Sequence, residues 1–243
     1  MRDDDYDDDW DRGGYRSPEE YLWRAVRRGE VASVEKILAD NEDISLTCRY
    51  KEDTLVFHAI RNRDYAVAEV LLKAGADVNA PSGYMEYTPF ILACNKGDTS
   101  AIDLLIKYKA DVNARTHDKE TGLHRASWRG DSALIRRLVD ELGCDMNAQN
   151  YLGQTAMFCA VSSNFPETIK TLIELGADPE IKGSNGFRDM TPRAFSDTIK
   201  KRAEVAGTLD DPKLREAGQN RVYEPVTRKP ISVGRPLTFK PKL

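Results

Sequence analysis

Short groups of apolar residues alternate with polar stretches along most of the chain, and the groups come in pairs. In one such pair, Ile91 belongs to the first group, and Ile102, Leu105 and Ile106 form the second at the three- and four-residue spacing of an amphipathic helix. Gly97 stands between the two groups and suits the left-handed residue that ends a helix. The pattern therefore predicts a unit of two short helices.

The unit recurs at a nearly constant period. A threonine stands at the start of each copy, and successive threonines are 34, 33, 34 and 36 residues apart: Thr54, Thr88, Thr121, Thr155 and Thr191. A threonine at this position can cap the free amides of a helix, and a proline such as Pro89 fits the first turn. Self-similarity at this period predicts a repeat architecture.

The motifs within the copies identify the kind of repeat. Residues 75–80 read Gly-Ala-Asp-Val-Asn-Ala, and residues 121–124 read Thr-Gly-Leu-His. Both motifs resemble those of the ankyrin repeat, and the resemblance extends over roughly residues 17–205. It implies an all-α fold, namely an ankyrin-repeat solenoid of helix-turn-helix units joined by β-hairpin-like turns, with extended N- and C-terminal tails.

The resemblance divides the chain into three parts. Residues 1–16 form an acidic tail that is expected to be disordered alone, residues 17–206 form the ankyrin-repeat domain, and residues 207–243 form a basic, proline-rich extended arm. The repeats are expected at 17–50, 51–83, 84–116, 117–150 and 151–186, followed by a C-terminal cap at 187–206. Both terminal units are degenerate, as expected where no neighbour covers the outer surface.

Three positions depart from the ankyrin pattern. Lys109 stands where the family has glycine, so we expect the second helix of that repeat either to end differently or to bear some strain. Asn164 also replaces a glycine, but asparagine tolerates the left-handed region. In the last copy, Arg193 stands where a leucine would pack.

The charge is distributed unevenly, although the whole chain carries only −4. Residues 1–12 hold seven aspartates against two arginines, a net charge of −5, whereas the last 23 residues carry +5. Four separated cysteines without a CxxC spacing favour a reducing compartment. The chain has no apolar run of about 18 residues, so we expect no membrane insertion. Its acidic N-terminus is unlike a secretory presequence, so we expect a cytoplasmic protein that is not secreted. Nuclear, cytoskeletal and ciliary locations are the alternatives.

The sequence offers no residues for catalysis. The resemblance assigns His124 a structural role, bonding to the backbone between repeats, and no base stands at a fixed offset from any cysteine. We find no glycine-rich phosphate loop and no metal-ligand cluster. We therefore predict a non-enzyme without cofactor or metal.

A partner-binding face is predicted instead. In the family, partners usually meet the concave face, formed by the hairpin tips and the exposed end of each first helix. On this chain the corresponding residues are Arg27, Arg28, Arg61, Asn62, Tyr84, Met85, Tyr87, Asn95, Lys96, His117, Lys119, Trp128, Arg129 and Tyr151. Aromatic, methionine and arginine side chains are typical of interface centres, and the cations favour an acidic segment on the partner. The alternative is that the charges are merely solvated and Trp128 packs against a neighbouring repeat.

Three functions fit these features. The first is an adaptor or scaffold that binds a protein partner through its concave face. The second is a structural subunit of a cytoskeletal, ciliary or organellar assembly, and the third is an inhibitor that occludes a partner's surface. In the second, the C-terminal arm orders along a partner through apolar side chains at Tyr223, Val226, Ile231, Val233, Leu237 and Phe239. Nucleic acid is an unlikely partner, and the chain is expected as a monomeric array or as one subunit of a larger complex.

Overall fold

The computed structural model describes residues 17–184, 189–198 and 203–219. In these residues, seventeen elements follow the chain in the order α1 (Pro18–Arg28), α2 (Val31–Asp40), β1 (Arg49–Tyr50), β2 (Asp53–Thr54), α3 (Leu55–Asn62), α4 (Tyr65–Lys73), α5 (Pro89–Lys96), α6 (Thr99–Lys107), α7 (Gly122–Arg129), α8 (Ser132–Asp140), α9 (Ala156–Ser163), α10 (Pro166–Glu174), β3 (Gly183–Ser184), β4 (Asp189–Met190), α11 (Pro192–Thr198), α12 (Ala203–Asp210) and α13 (Pro212–Gln219).

The helices stack in two layers. The first layer runs from α1 through α3, α5, α7 and α9 to α11, and in the second layer α2 packs on α4, α4 on α6, and α8 on α10. Helices of both layers contribute the largest fully buried side chains, among them Phe90, Ile102, Ile135 and Phe158. The predicted all-α ankyrin-repeat solenoid is therefore confirmed.

Hairpin-like turns connect the units. The strands β1 and β2 pair antiparallel, as do β3 and β4, and Ser82 forms a single bridge with Tyr87. The two remaining turns are closed by backbone bonds from Thr116 N to Glu120 O (2.9 Å) and from Asn150 N to Gln154 O (2.9 Å).

The first helices α3 and α5 begin with the predicted threonine cap, whereas the Thr155 hydroxyl before α9 makes no such bond. The hydroxyl oxygen of Thr54 accepts a hydrogen bond from the amide of Phe57, and that of Thr88 accepts one from Ile91. The residue after the helix is left-handed at Gly97 (φ 65°) and also at Asn164 (φ 61°), which confirms that asparagine takes the place of glycine there.

The Asp-x-Asn part of the motif joins each repeat to the next. The Asp77 carboxylate accepts a hydrogen bond from the amide of Asn79 (2.8 Å), and the Asn79 side-chain oxygen accepts one from the amide of Asp111 in the following repeat (2.8 Å). The same arrangement recurs from Asn113 to Asp145 and from Asn147 to Asp178. These loops therefore hold the repeats at a fixed spacing.

The prediction that residues 207–243 form an extended arm is wrong for residues 207–219, because α12 continues to Asp210 and α13 follows. Pro212 occupies the first position of α13, where a proline fits a helix. Leu209 is fully buried, and both α12 and α13 pack on α10. The C-terminal cap thus extends beyond residue 206.

Arg193 has a role in the same cap. Its guanidinium forms an ion pair with Asp210 (2.6 Å) and donates to the carbonyl oxygen of Leu209 (3.4 Å). The arginine that replaces the family's leucine therefore binds the end of α12. The acidic tail at 1–16 and the six apolar residues assigned to the arm, Tyr223, Val226, Ile231, Val233, Leu237 and Phe239, lie outside the described residues.

Candidate functional site

The cations at the ends of the first helices bond to the repeat before their own. Lys96 Nζ donates to the carbonyl oxygen of Arg61 (2.6 Å), and an Arg129 guanidinium nitrogen donates to that of Asn95 (3.2 Å). Each cation therefore lies at the C-terminal, electronegative end of the preceding first helix. Burial lowers the pKa of Lys96, and the nearby Arg63 cation acts in the same direction.

The other predicted members of this row are placed as follows. Arg61 is ion-paired with the buried carboxylate of Asp53 (2.5 Å), and Asn62 lies 3.0 Å from a ring nitrogen of His58. Arg27 and Arg28 are exposed at the end of α1. Much of the predicted basic row is therefore engaged within the protein: the charge of Arg61 is matched by Asp53, whereas Lys96 and Arg129 bond to neutral carbonyl oxygens and keep their positive charge.

The tips of the hairpins form a continuous ridge. Backbone amides of one tip donate to carbonyls of the tip before it, from His117 to Met85 (3.0 Å) and from Tyr151 to Asp118 (2.7 Å). A further bond links the amide of Ser184 to Leu152 (2.7 Å). Because each tip is bonded to its neighbour, the backbones of the tips are held in fixed relative positions.

Large apolar side chains are exposed along this ridge. Tyr84 is 81% exposed and Tyr151 74%, while Leu152 is 42% exposed beside it. The rings of Tyr84 and His117, from adjacent tips, have their centres 5.8 Å apart. Trp128, near the end of α7, is 39% exposed. Leu152 was not among the residues predicted from the sequence, although an apolar residue in the turn Asn-Tyr-Leu-Gly is a usable signal.

Tyr87 is placed differently from Tyr84. The guanidinium of Arg125 lies 5.0 Å from the centre of the Tyr87 ring, and Arg125 is also ion-paired with Glu120. Burial raises the pKa of the Tyr87 hydroxyl. This half-buried ring supports the turn, and it is less accessible to a partner than the rings at the tips.

Met85 and Lys119 complete the predicted set. Met85 is partly exposed and supplies the carbonyl that His117 binds. Lys119 is exposed and left-handed, with a φ of 59°. Both therefore lie on the ridge.

His124 is buried and joins two repeats. Its Nδ1 accepts a hydrogen bond from the amide of Thr121 (3.2 Å), so Nε2 carries the proton and donates to the carbonyl oxygen of Gln154 (2.9 Å). Burial lowers the pKa of the imidazole to about 4, so the ring is neutral at pH 7. The structural role implied by the resemblance is confirmed.

The cysteines show no sign of activation. Cys94, Cys144 and Cys159 are buried, and burial raises the pKa of the Cys94 and Cys159 thiols. Within the described ranges, no three His, Cys, Asp or Glu side chains are grouped to hold a metal ion. No helix in the same ranges is both long and apolar enough to cross a membrane.

Comparison with protein families agrees with the fold. The family model described as "Ankyrin repeats (3 copies)" matches residues 90–183, and the model described as "Ankyrin repeat" matches residues 51–83. Together the two matches cover more than half of the chain. The chain belongs to the ankyrin-repeat family.

Individual proteins show how far the similarity extends. An ankyrin repeat domain from Acinetobacter baumannii is 25% identical with a TM-score of 0.68, over 82% of this chain and 98% of that one. NF-kappa-B inhibitor alpha is 38% identical in the pig protein and 35% identical in the human one, each over 80 residues or 32% of this chain. The chain spans only 24% of the length of these two curated relatives.

Proposed function

We propose that this chain is a non-catalytic adaptor or scaffold that binds a protein partner through the ridge of hairpin tips and the adjoining ends of the first helices. Ankyrin repeats are protein-interaction modules. The observation that carries the proposal is the exposure of Tyr84, Tyr151 and Leu152 on a ridge whose tips are bonded to one another.

The chemistry of these side chains fits an interface centre. Tyrosine and tryptophan contribute most to binding when a partner buries them fully, and a rigid backbone lowers the entropy lost on binding. Trp128 supplies a further exposed ring near the end of α7, next to Arg129. The cations at the helix ends favour an acidic segment of the partner beside the apolar centre.

The test is a comparison of captured proteins. The triple variant Tyr84→Ala, Trp128→Ala, Tyr151→Ala is used as bait beside the unchanged chain, and captured proteins are quantified by mass spectrometry. We expect the specific partner to fall by about tenfold or more, since each lost anchor costs on the order of 1–2 kcal/mol.

A matched control removes an exposed aromatic residue elsewhere. Tyr21 on α1 is 50% exposed and lies three repeats from Trp128, so Tyr21→Ala is expected to leave capture unchanged. Circular dichroism of all variants checks that the helices persist. Equal capture by the triple variant and the unchanged chain would refute the proposed face.

A second function, inhibition by occlusion, is favoured by one of the comparisons. NF-kappa-B inhibitor alpha is by name an inhibitor, and its similarity to this chain covers 80 residues. In this proposal the ridge covers the active or binding surface of the captured partner. Adding the purified chain to that partner at equal concentration should then abolish the partner's activity, whereas an adaptor leaves the activity intact.

A further inference from the structure

Two cations lie near one aromatic ring where α1 meets the β1–β2 hairpin, and a third cation lies one helical turn away on α1. Arg24 and Arg27 are exposed and one turn apart on α1, so they share a side of that helix. The Arg27 guanidinium lies 6.0 Å from the centre of the Tyr50 ring, and Lys51 Nζ lies 5.4 Å from the same centre. We name Arg24, Arg27, Tyr50 and Lys51 the basic face.

The basic face rests on a fixed support. The Trp23 ring packs 5.9 Å from Tyr50 and 5.5 Å, edge to face, from the buried His58. The neighbouring Asp53 carboxylate is bound to Arg61 at 2.5 Å and is therefore committed to a different cation. Glu19 and Glu20 in the first turn of α1 and Glu52 in the hairpin are the other anions on these elements.

The chain carries a segment of complementary chemistry immediately before α1. Residues 3–11 read Asp-Asp-Asp-Tyr-Asp-Asp-Asp-Trp-Asp, with seven carboxylates and two aromatic rings. Carboxylates bind guanidinium and ammonium groups by charge-assisted hydrogen bonds, and tyrosine and tryptophan rings bind the same cations through their faces.

The segment is long enough to reach the basic face of its own chain. Arg27 lies ten residues beyond Ser17 along α1, a distance of about 15 Å at 1.5 Å per helical residue. Asp11 stands six residues before Ser17, and an extended chain spans up to about 20 Å over that length. The earlier aspartates reach further still.

We propose that residues 3–11 bind the basic face of the same chain. A short tether provides an effective concentration on the order of 1 mM, so an affinity of only about 0.1 mM suffices to keep the face about nine-tenths occupied. An acidic segment of a partner must displace residues 3–11 before it reaches the first repeat. This inference goes beyond the proposed function and does not depend on the ridge binding a partner.

The test uses the full chain and a fluorescein-labelled peptide with the sequence of residues 1–16. One variant has all seven aspartates of residues 3–11 replaced by asparagine. We expect this variant to bind the peptide about tenfold more tightly than the unchanged chain, whose own segment competes, and we expect binding to weaken steeply between about 50 mM and about 500 mM NaCl.

Two further variants, made in the asparagine background, locate the binding surface. Replacing Arg24, Arg27 and Lys51 by glutamine should abolish peptide binding. The matched control Lys36→Gln, Lys73→Gln, Lys170→Gln removes equal charge from exposed positions on second-layer helices and should bind the peptide unchanged. Equal loss in both triple variants would show binding to net charge alone and would overturn the proposal.

The remaining outcomes are equally decisive. If the unchanged chain and the asparagine variant bind the peptide equally, or if neither binds, residues 3–11 do not occupy the basic face. Light scattering distinguishes binding to a second copy. A mass of two chains that the asparagine substitutions reduce to one chain would place the segment on a neighbouring copy and overturn binding within the same chain.

Discussion

The two layers of the stack treat their surface charges differently. On the second layer, ion pairs join consecutive repeats, from Glu69 to Lys107 (2.7 Å) and, one repeat further, between Asp103 and Arg137. On the first layer, Lys96 and Arg129 bond instead to backbone carbonyl oxygens of the preceding repeat. Both devices link repeats, but only the ion pair cancels the charge of the cation.

The acceptor of each cation, carboxylate or carbonyl oxygen, decides whether its charge is available to a partner. A carbonyl oxygen fixes a cation in place without neutralising it, so Lys96 and Arg129 keep their positive charge at ordered positions on the first layer. The Lys107 and Arg137 cations of the second layer are instead matched by carboxylates. A partner with an acidic segment is therefore attracted more strongly to Lys96 and Arg129 than to these paired cations.

The largest expected effect concerns the pH dependence of the first layer. The unfolded His124 titrates near pH 6.5, whereas burial lowers the folded pKa to about 4. The folded state thus resists protonation, and stability present above pH 6.5 is lost as the pH falls toward 4, by about 3 kcal/mol in total.

Urea unfolding between these pH values measures this loss. The His124→Gln variant has no titrating group at this position, so its free energy of unfolding should depend less on pH, by up to about 1.4 kcal/mol per pH unit. If the two proteins lost stability in parallel over this range, His124 would not be the neutral link that its hydrogen bonds indicate.

The motifs predicted the parts of the fold that depend on a single residue. A capping threonine, a left-handed glycine or the asparagine at 164 each has one local requirement, so each could be assigned from the sequence. The His124 link could be expected because the ankyrin pattern marks it. In contrast, the cation–π contact between Arg125 and the Tyr87 ring joins two repeats. Its residues lie outside the motif, so no local pattern predicts it.

The predicted end of the C-terminal cap was wrong for a different reason. Pro212 and the charged residues around it are typical of an extended arm, but a proline also fits the start of a helix. What decides between the two is burial of Leu209 against the core of the preceding repeats, and such packing cannot be read from local composition. Exposure of the ridge residues likewise follows only from the packed stack.

The second prediction compares two left-handed glycines. Gly130 (φ 73°) ends a first-layer helix, and an added Cβ there would lie 2.7 Å from the Phe165 ring, whereas Gly75 (φ 96°) follows a second-layer helix with open space around it. We expect Gly75→Ala to lower the free energy of unfolding by about 1 kcal/mol, for the backbone alone. Gly130→Ala should cost about 2 kcal/mol or more, because Phe165 must also move. Equal costs in urea unfolding would contradict this packing difference.

The third prediction concerns Lys109, which stands in the next repeat at the position equivalent to Gly75. Here a glycine is introduced instead of removed. Lys109 has a φ of 65°, a conformation that costs a non-glycine residue about 1 kcal/mol. Lys109→Gly should therefore raise the free energy of unfolding, by up to about 1 kcal/mol less the entropy gained by the unfolded chain. The control Lys107→Gly, within α6, should lower stability instead. A loss of stability in Lys109→Gly would show that the lysine is not strained.

The smallest effect tests the charge difference between the layers directly. Arg137→Met removes the ion pairs with Asp103 and Glu141, and Arg129→Met removes a hydrogen bond to a carbonyl oxygen. Each should cost about 0.5 kcal/mol in dilute salt. In about 500 mM NaCl the cost of Arg137→Met should largely vanish, because the salt screens a pair of exposed charges, whereas the cost of Arg129→Met should change little because its acceptor is neutral. Paired urea titrations at the two salt concentrations measure both, and equal salt dependence would mean that the two layers do not differ in the way their cations are held.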